Sequence, residues 1–410
     1  MSLDYELSKT THELRESVQD WAVTRARPLA RDADRRHGLP EGGEAALAAC
    51  PVDIARLLGV KPSQQSWAEA FEKYGPYLVA ALVQEAIAYG DGWPIWVRAG
   101  SIGQNVVKAM GSEAQKARWV APLVRGEMNC AAFALTEAHF GSDVAQVATT
   151  ATREGDSWVI NGAKMYCSLG ASADYVVVFA TIDKSAGRHG IRAFVVEQGA
   201  PGFKIAKRNE EKLGIRSAET SELLFENCAV PLDQCLGWSP DVKAASTGKG
   251  GDRKQSGFLG ALTTLGTTRP LLAGISLGLA RAAKDTAAAW VRERASEFTR
   301  ERIVRIEDDF ARMDDALVHA RRLVLRACWM KDQGLPNTRE AAAAKAYGPP
   351  VAERVIRRAL QVMGPDGASE KYLVEKWHRD VKIYDIFEGS GQVMRMTISR
   401  DLMGAGAARG

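Results

Sequence analysis

The spacing of apolar residues changes twice along the chain. Up to about residue 128 it is helical. Leu14 to Ala33 reads L-R-E-S-V-Q-D-W-A-V-T-R-A-R-P-L-A-R-D-A, with apolar side chains recurring every three or four positions. Tyr77 to Gly90, Y-L-V-A-A-L-V-Q-E-A-I-A-Y-G, is apolar on most faces and predicts a buried helix that the glycine terminates. From about Met128 the period shortens toward two. W-V-I-N-G-A-K-M-Y-C-S (Trp158 to Ser168) sets an N-G pair between alternating segments, which predicts a hairpin. Tyr175 to Ile182, Arg192 to Glu197 and Ser221 to Val230 are β-branched and aromatic runs and predict strands. Strands at such short intervals predict an antiparallel barrel or sandwich of roughly 110 residues.

Ser246 to Gly257, S-T-G-K-G-G-D-R-K-Q-S-G, is polar and glycine-rich and predicts a loop. Helical spacing then returns over Leu271 to Val291, Asp314 to Trp329 and Val351 to Met363. The expected fold is α+β and multidomain. An N-terminal helical domain (1–128) precedes a middle antiparallel β-barrel or sandwich (129–240) and a C-terminal helical bundle (241–410) with its loop insertion at 246–257. The length of 410 residues exceeds what one core usually serves, which fits this division.

Composition narrows the function classes. Apolar residues are 46% and charged residues 25%, as in a globular protein. A net charge of +4 over this length is too small to imply nucleic acid. Basic and acidic residues alternate in Arg292 to Arg302, R-E-R-A-S-E-F-T-R-E-R, which predicts a solvated helix face. The six cysteines form no C-x-x-C pair and no zinc spacing, so no metal is expected, and their scatter fits a reducing compartment. The early acids of the N-terminus do not resemble a signal peptide, and no apolar window is long enough to span a bilayer. A cytoplasmic protein, bound neither to membrane nor to nucleic acid, is expected.

One short string carries candidate chemistry. I-F-E-G-S-G-Q (Ile386 to Gln392) sets a carboxylate between an aromatic ring and a glycine. Taken alone, Glu388 fits either a solvated helix end or a base. Four further strings precede it in order: A-F-A-L-T-E-A-H-F-G-S-D (Ala132 to Asp143), W-V-I-N-G-A-K-M-Y-C-S-L-G (Trp158 to Gly170), K-L-G-I-R-S-A-E-T-S-E-L-L-F-E-N-C-A-V-P (Lys212 to Pro231) and T-T-R-P (Thr267 to Pro270). The last of these is expected to open the final helical domain. The series resembles the acyl-CoA dehydrogenase family, from about Gly111 to Leu402. That resemblance implies FAD, α,β-dehydrogenation of an acyl thioester on coenzyme A or a carrier protein, and an electron-transferring flavoprotein as acceptor. The chemistry needs a carboxylate of raised pKa for the α-proton and a flavin for the β-hydride, which no side chain accepts.

By the same resemblance Glu388 is the catalytic base. Thr136, beside Leu135, would bond the flavin ring. Tyr166 and Ser168 match positions that pack a ring and place a hydroxyl near the flavin, although both also fit ordinary strand residues. Ser142 would contact the FAD phosphates or the thioester, and Gly141 would let the backbone approach; G-S-D is equally good turn chemistry. Ser390 and Gln392 would contact the cofactor after the base, and Gln361 is a further cofactor candidate. Arg269, Phe387 and Gly389 fall on the substrate side.

Departures from the family pattern are concentrated in a few places. Phe140 stands where a small residue is usual, Gly266 replaces an aspartate, and P-E-x-Y-G-G has no clear counterpart in Ala55 to Gly75. Family members carry R-x-x-F-G and Q-I-L-G-G strings that reach a neighbour's FAD in a homotetramer. Here the arginine and phenylalanine (Arg294, Phe298) are one position too far apart, Thr299 replaces the glycine, and the second string reads Gln361-Val-Met-Gly-Pro365. An α2β2 heterotetramer with a related subunit, or a homotetramer with a variant adenine pocket, follows from these losses. An oxidase or monooxygenase on the same fold and a catalytically silent partner subunit are the rival functions.

Overall fold

The computed structural model describes residues 7–54, 65–98, 102–238 and 257–404. Residues 246–256 of the expected loop lie outside the described residues. The described chain forms two compact units. One gathers residues from Met1–Val97, Lys212–Ser217 and Gly266–Gly410, and the other residues from Arg98–Glu211 and Ala218–Leu265.

The chain begins with α1 (Lys9–Trp21), α2 (Ala30–Arg36), α3 (Gly43–Ala48), α4 (Gln65–Tyr74), α5 (Pro76–Gly90) and α6 (Trp93–Trp96). The α5 helix is buried along nearly its whole length, as its apolar sequence predicts. Then come α7 (Ile102–Met110), α8 (Glu113–Trp119) and α9 (Ala121–Arg125). Ser112 and Gln115 start α8 with a reciprocal capping box.

Seven strands follow: β1 (Ala131–Ala134), β2 (Thr150–Glu154), β3 (Ser157–Ser168), β4 (Tyr175–Thr181), β5 (Ile191–Glu197), β6 (Phe203–Lys207) and β7 (Thr220–Pro231). They form one sheet in the order β1-β4-β2-β3-β7-β6, with β5 on β4. Most pairings are antiparallel, as expected, but β1 and β2 meet β4 in parallel. The period of two divides β4 between two cores. Val176, Val178 and Ala180 face Trp158, Phe194 and Phe225, whereas Tyr175, Val177 and Phe179 pack with Val106, Val107 and Trp119 of α7 and α8. Burial on both faces explains why β4 reads as an unbroken apolar run.

The N-G pair does not make the expected hairpin. β3 runs straight through it, and the β2–β3 turn falls at Gly155 and Asp156. Gly155, at φ +57°, supplies the positive φ that the turn needs. Asn161 and Gly162 instead sit at a register shift between β3 and β7. A Cβ at Gly162 would come within 2.5 Å of the Thr149 side chain, so the close approach demands glycine.

The C-terminal helices are α10 (Gly257–Glu293), α11 (Arg300–Asp332), α12 (Thr338–Met363), α13 (Val374–Val381) and α14 (Gly391–Leu402). T-T-R-P lies inside α10, just after Gly266, where the chain re-enters the helical unit, and Pro270 is accommodated in the helix interior. Arg292 to Arg302 is not a continuous helix face. α10 ends at Glu293, a short 3-10 turn follows, and the Thr299 hydroxyl caps α11 by accepting the Arg302 N–H. A threonine at an N-cap satisfies an otherwise unpaired donor, which favours a new helix over continuation.

Candidate active site

In the helical unit, Glu388 follows a 3-10 segment (Lys382–Asp385) and precedes α14. Its φ is +54° and that of Gly389 is +101°, so two successive residues occupy the left-handed half of backbone space. Only glycine does this without strain. Polar contacts fix the turn. Arg269 Nε donates to the Glu388 carbonyl at 2.8 Å, and Lys345 Nζ donates to the Gly389 carbonyl at 2.9 Å. The Thr268 hydroxyl donates to one Glu388 carboxylate oxygen, while the other makes no hydrogen bond among the described residues. Gly389 leaves room for the Met394 methyl, which a Cβ would meet at 2.7 Å. The Phe387 ring lies 5.7 Å from Trp96 and 5.6 Å from Tyr384, and Trp96 Nε1 donates to the Tyr384 hydroxyl at 3.0 Å.

The electrostatics suit a base. Part of Glu388 remains accessible, but dense surroundings strip water from its carboxylate and raise its pKa. The Thr268 bond and the charges of Arg269 and Lys345 offset this only in part. Burial likewise pulls Lys345 down to about 8, against the opposing pull of Glu388 and Asp385.

In the β-containing unit, the second cluster is built around Thr136. The Met165 N–H donates to the Thr136 carbonyl at 2.9 Å, which ties the end of β1 to β3. The fully buried Lys164 donates to the Leu135 carbonyl at 3.1 Å and to Glu137 at 2.7 Å. Glu137 also accepts from the Ala148 N–H, the Thr149 N–H and the Thr149 hydroxyl. Burial pushes the Glu137 carboxyl up, but Lys164 and these donors outweigh it and hold it low. Thr136 is thereby held between two anchored neighbours. Beyond it the Glu137 carbonyl accepts the Phe140 N–H, and Gly141 and Ser142 are exposed at the turn. A register shift between Lys164 and Cys167 sets Tyr166 at φ +56° and leaves it 59% exposed.

Thr136 is tied to Met165, next to Tyr166, and Gly141 lies near the Thr136 methyl, so Leu135, Thr136, Gly141 and Tyr166 share one region of their unit, with Ser142 and Ser168 close to them in sequence. The structure gathers Arg269, Phe387, Glu388, Gly389 and Ser390 in the other unit. Arg269 holds the carbonyl of Glu388 itself. Ser390 caps α14, accepting the Val393 N–H, and keeps its own proton to donate. Gln392 is exposed in the first turn of α14. Gln361 stands apart, on the exposed side of α12, where Arg358 donates to it at 3.2 Å. The hydroxyls of Thr136, Ser142, Tyr166 and Ser168 make no hydrogen bond among the described residues. Sequence reasoning missed Thr268, Lys345, Lys164 and Glu137. Thr268 lay inside a string already singled out, and Lys345 is the lone cation of A-A-A-A-K-A-Y.

Comparison with known proteins gives a consistent result. Family models for the N-terminal, middle and C-terminal domains of acyl-CoA dehydrogenases match residues 8–127, 132–228 and 255–403. A short-chain specific acyl-CoA dehydrogenase of Clostridium acetobutylicum is 32% identical over 399 residues, which cover 97% of this chain and 99% of that one. The solved butyryl-CoA dehydrogenase of Megasphaera elsdenii aligns with a TM-score of 0.81 at 30% identity, covering 98% of this chain and 100% of the other. A chain from the structure described as the electron transferring flavoprotein of Acidaminococcus fermentans aligns with a TM-score of 0.79, again at 30% identity, over 98% and 100%. Among the described residues no helix is long and apolar enough to cross a membrane.

Proposed function

Because this chain belongs to the acyl-CoA dehydrogenase family, whose members are FAD-dependent oxidoreductases with helical, β-sheet and helical domains, we propose that it desaturates an acyl-CoA thioester at C2 and C3 with Glu388 as the base. The observation that carries this reading is the state of Glu388. Its carboxylate is desolvated and raised in pKa, one oxygen is steadied by Thr268, and the other is left for a proton. A thioester α-proton is far less acidic than an ordinary carboxylic acid, so raising the base narrows the gap that proton transfer must cross. Arg269 and Lys345 donate to the two carbonyls of the turn that carries Glu388.

By the family resemblance, Leu135, Thr136, Gly141, Ser142, Tyr166 and Ser168 are the candidate FAD contacts of the β-containing unit, and Ser390 and Gln392 are those of the helical unit. When bound, the flavin supplies the two-electron acceptor for the β-hydride. The hydroxyls of Thr136 and Ser168 would donate to its polar edge, and the exposed Tyr166 ring would cover an apolar part. Electron transfer onward to an electron-transferring flavoprotein belongs to the same proposal and is supported by the Acidaminococcus likeness.

The test is anaerobic flavin bleaching by a series of acyl thioesters, from short straight chains to steroid side chains. Glu388→Gln should slow bleaching by about 10²–10⁴-fold, the usual contribution of a general base. Bleaching at the unmodified rate would remove Glu388 from the role. Rapid reoxidation of the bleached protein by air alone would favour an oxidase.

A heteromeric assembly is the second reading, and specific contacts favour it. Phe298 packs on Trp290 with its ring under Arg302, and Arg294 lies over Trp290 and pairs with Asp366. Gln361 is taken by Arg358, which also pairs with Asp309. Arg294 and Phe298, which family members would lend to a neighbour's FAD, make contacts within this chain, and the Gln361 side-chain carbonyl accepts from Arg358.

A further inference from the structure

We propose that Lys345 is a positioning residue for the base: its ammonium holds the Gly389 carbonyl, and with Arg269 it fixes the left-handed turn that presents Glu388. The inference rests on the assignment of Glu388 as base. Lys345 projects from α12 and its side chain is wholly buried, yet it makes a single hydrogen bond among the described residues, to that carbonyl at 2.9 Å. An ammonium has three donors and is costly to bury with so few partners. The helix itself gains nothing from it, since alanines and other apolar residues fill the neighbouring positions. What the lysine touches is the residue after Glu388. A positive φ at a non-glycine residue persists only when its surroundings over-determine it. Here two buried cations hold two consecutive carbonyls, one from α10 and one from α12.

The charge has a second effect. The groups facing Lys345 are Glu388 and Asp385 from the segment before α14, Arg269 from α10, and Arg395 of α14, which donates to the adjacent Ala346 carbonyl. Among them Lys345 favours the ionised form of Glu388. Position and ionisation of the base therefore depend on one side chain and can be separated by substitution.

Lys345→Met fills the volume and removes both the donor and the charge. Lys345→Gln keeps an N–H donor and removes only the charge. The flavin-loaded variants are compared with Glu388→Gln for melting, flavin content and the pH profile of anaerobic bleaching. The expected result is normal flavin content and cooperative melting for both. K345M should bleach at least about 10-fold more slowly, because the base is misplaced, with the acid limb of the profile at higher pH. K345Q should recover much of the rate but keep the moved limb. An unmoved profile and rate in K345M would overturn the proposal, and so would failure of both variants to fold with flavin, which would assign Lys345 to stability alone. If Glu388→Gln bleaches normally, the base assignment fails. If it is inactive while K345M is normal, only the role of Lys345 fails.

Discussion

At Glu388 the requirements of folding and of chemistry oppose each other. Burial raises its pKa above the value of about 4.3 expected in the unfolded chain. Folding therefore favours the protonated acid. That contribution is fully present below the unfolded value and is lost as pH rises through the folded one. Glu388→Gln does not titrate, so its melting temperature should exceed that of the natural protein at alkaline pH, and the gap should close on acidification. A gap that stays constant across this range would mean that Glu388 is solvated after all. The residues that surround Glu388 were hardest to see in the sequence. Thr268 reaches Glu388 across 120 positions, and no local string reports a contact of that separation. Lys345 sits among alanines, a pattern that reads as a solvent-facing lysine on a helix until burial is known.

Among the elements, α5 depends on a partner distant in sequence. Gly75 turns into the helix at φ +88°, and the N–H groups of Tyr77 and Leu78 donate to Asp332, the last residue of α11, at 3.0 and 2.9 Å. This is an N-cap supplied by another helix. Asp332→Ala should lose about 1–2 kcal/mol, the usual value of a cap, measured by urea unfolding. Burial pushes the Asp332 carboxyl up to about 6, although the two N–H donors pull the other way. The unfolded value is about 3.9, so the advantage of Asp332 over a neutral Asp332→Asn should shrink as pH rises between the two. β4, β5, β7 and the long helices were legible because their apolar periods are strong, whereas the short strands β1, β2 and β6 carry too few residues to stand out. The N-G pair misled because Asn-Gly serves bulges as well as turns. Which use applies is decided by Thr149, which the short string does not contain.

For the whole molecule, the proposed heteromeric assembly makes a prediction about how much flavin the chain holds by itself. Arg294, Phe298 and Gln361 are engaged at home, which favours a related subunit as the donor of the missing cofactor contacts. Expressed alone, the chain should bind less than one FAD per protomer, and co-expression with that subunit should restore a full complement. Flavin absorbance against protein concentration, with the mass in solution, measures both. A fully loaded homotetramer would overturn the heteromeric reading. The left-handed turn at Glu388 bears on any attempt to engineer the protein. Glycine or asparagine would sit there with less strain, and any uncharged residue would remove a desolvated carboxylate. A library selected for heat tolerance in alkaline buffer would therefore enrich for robust protein that has lost the proposed base, unless turnover is screened in the same round.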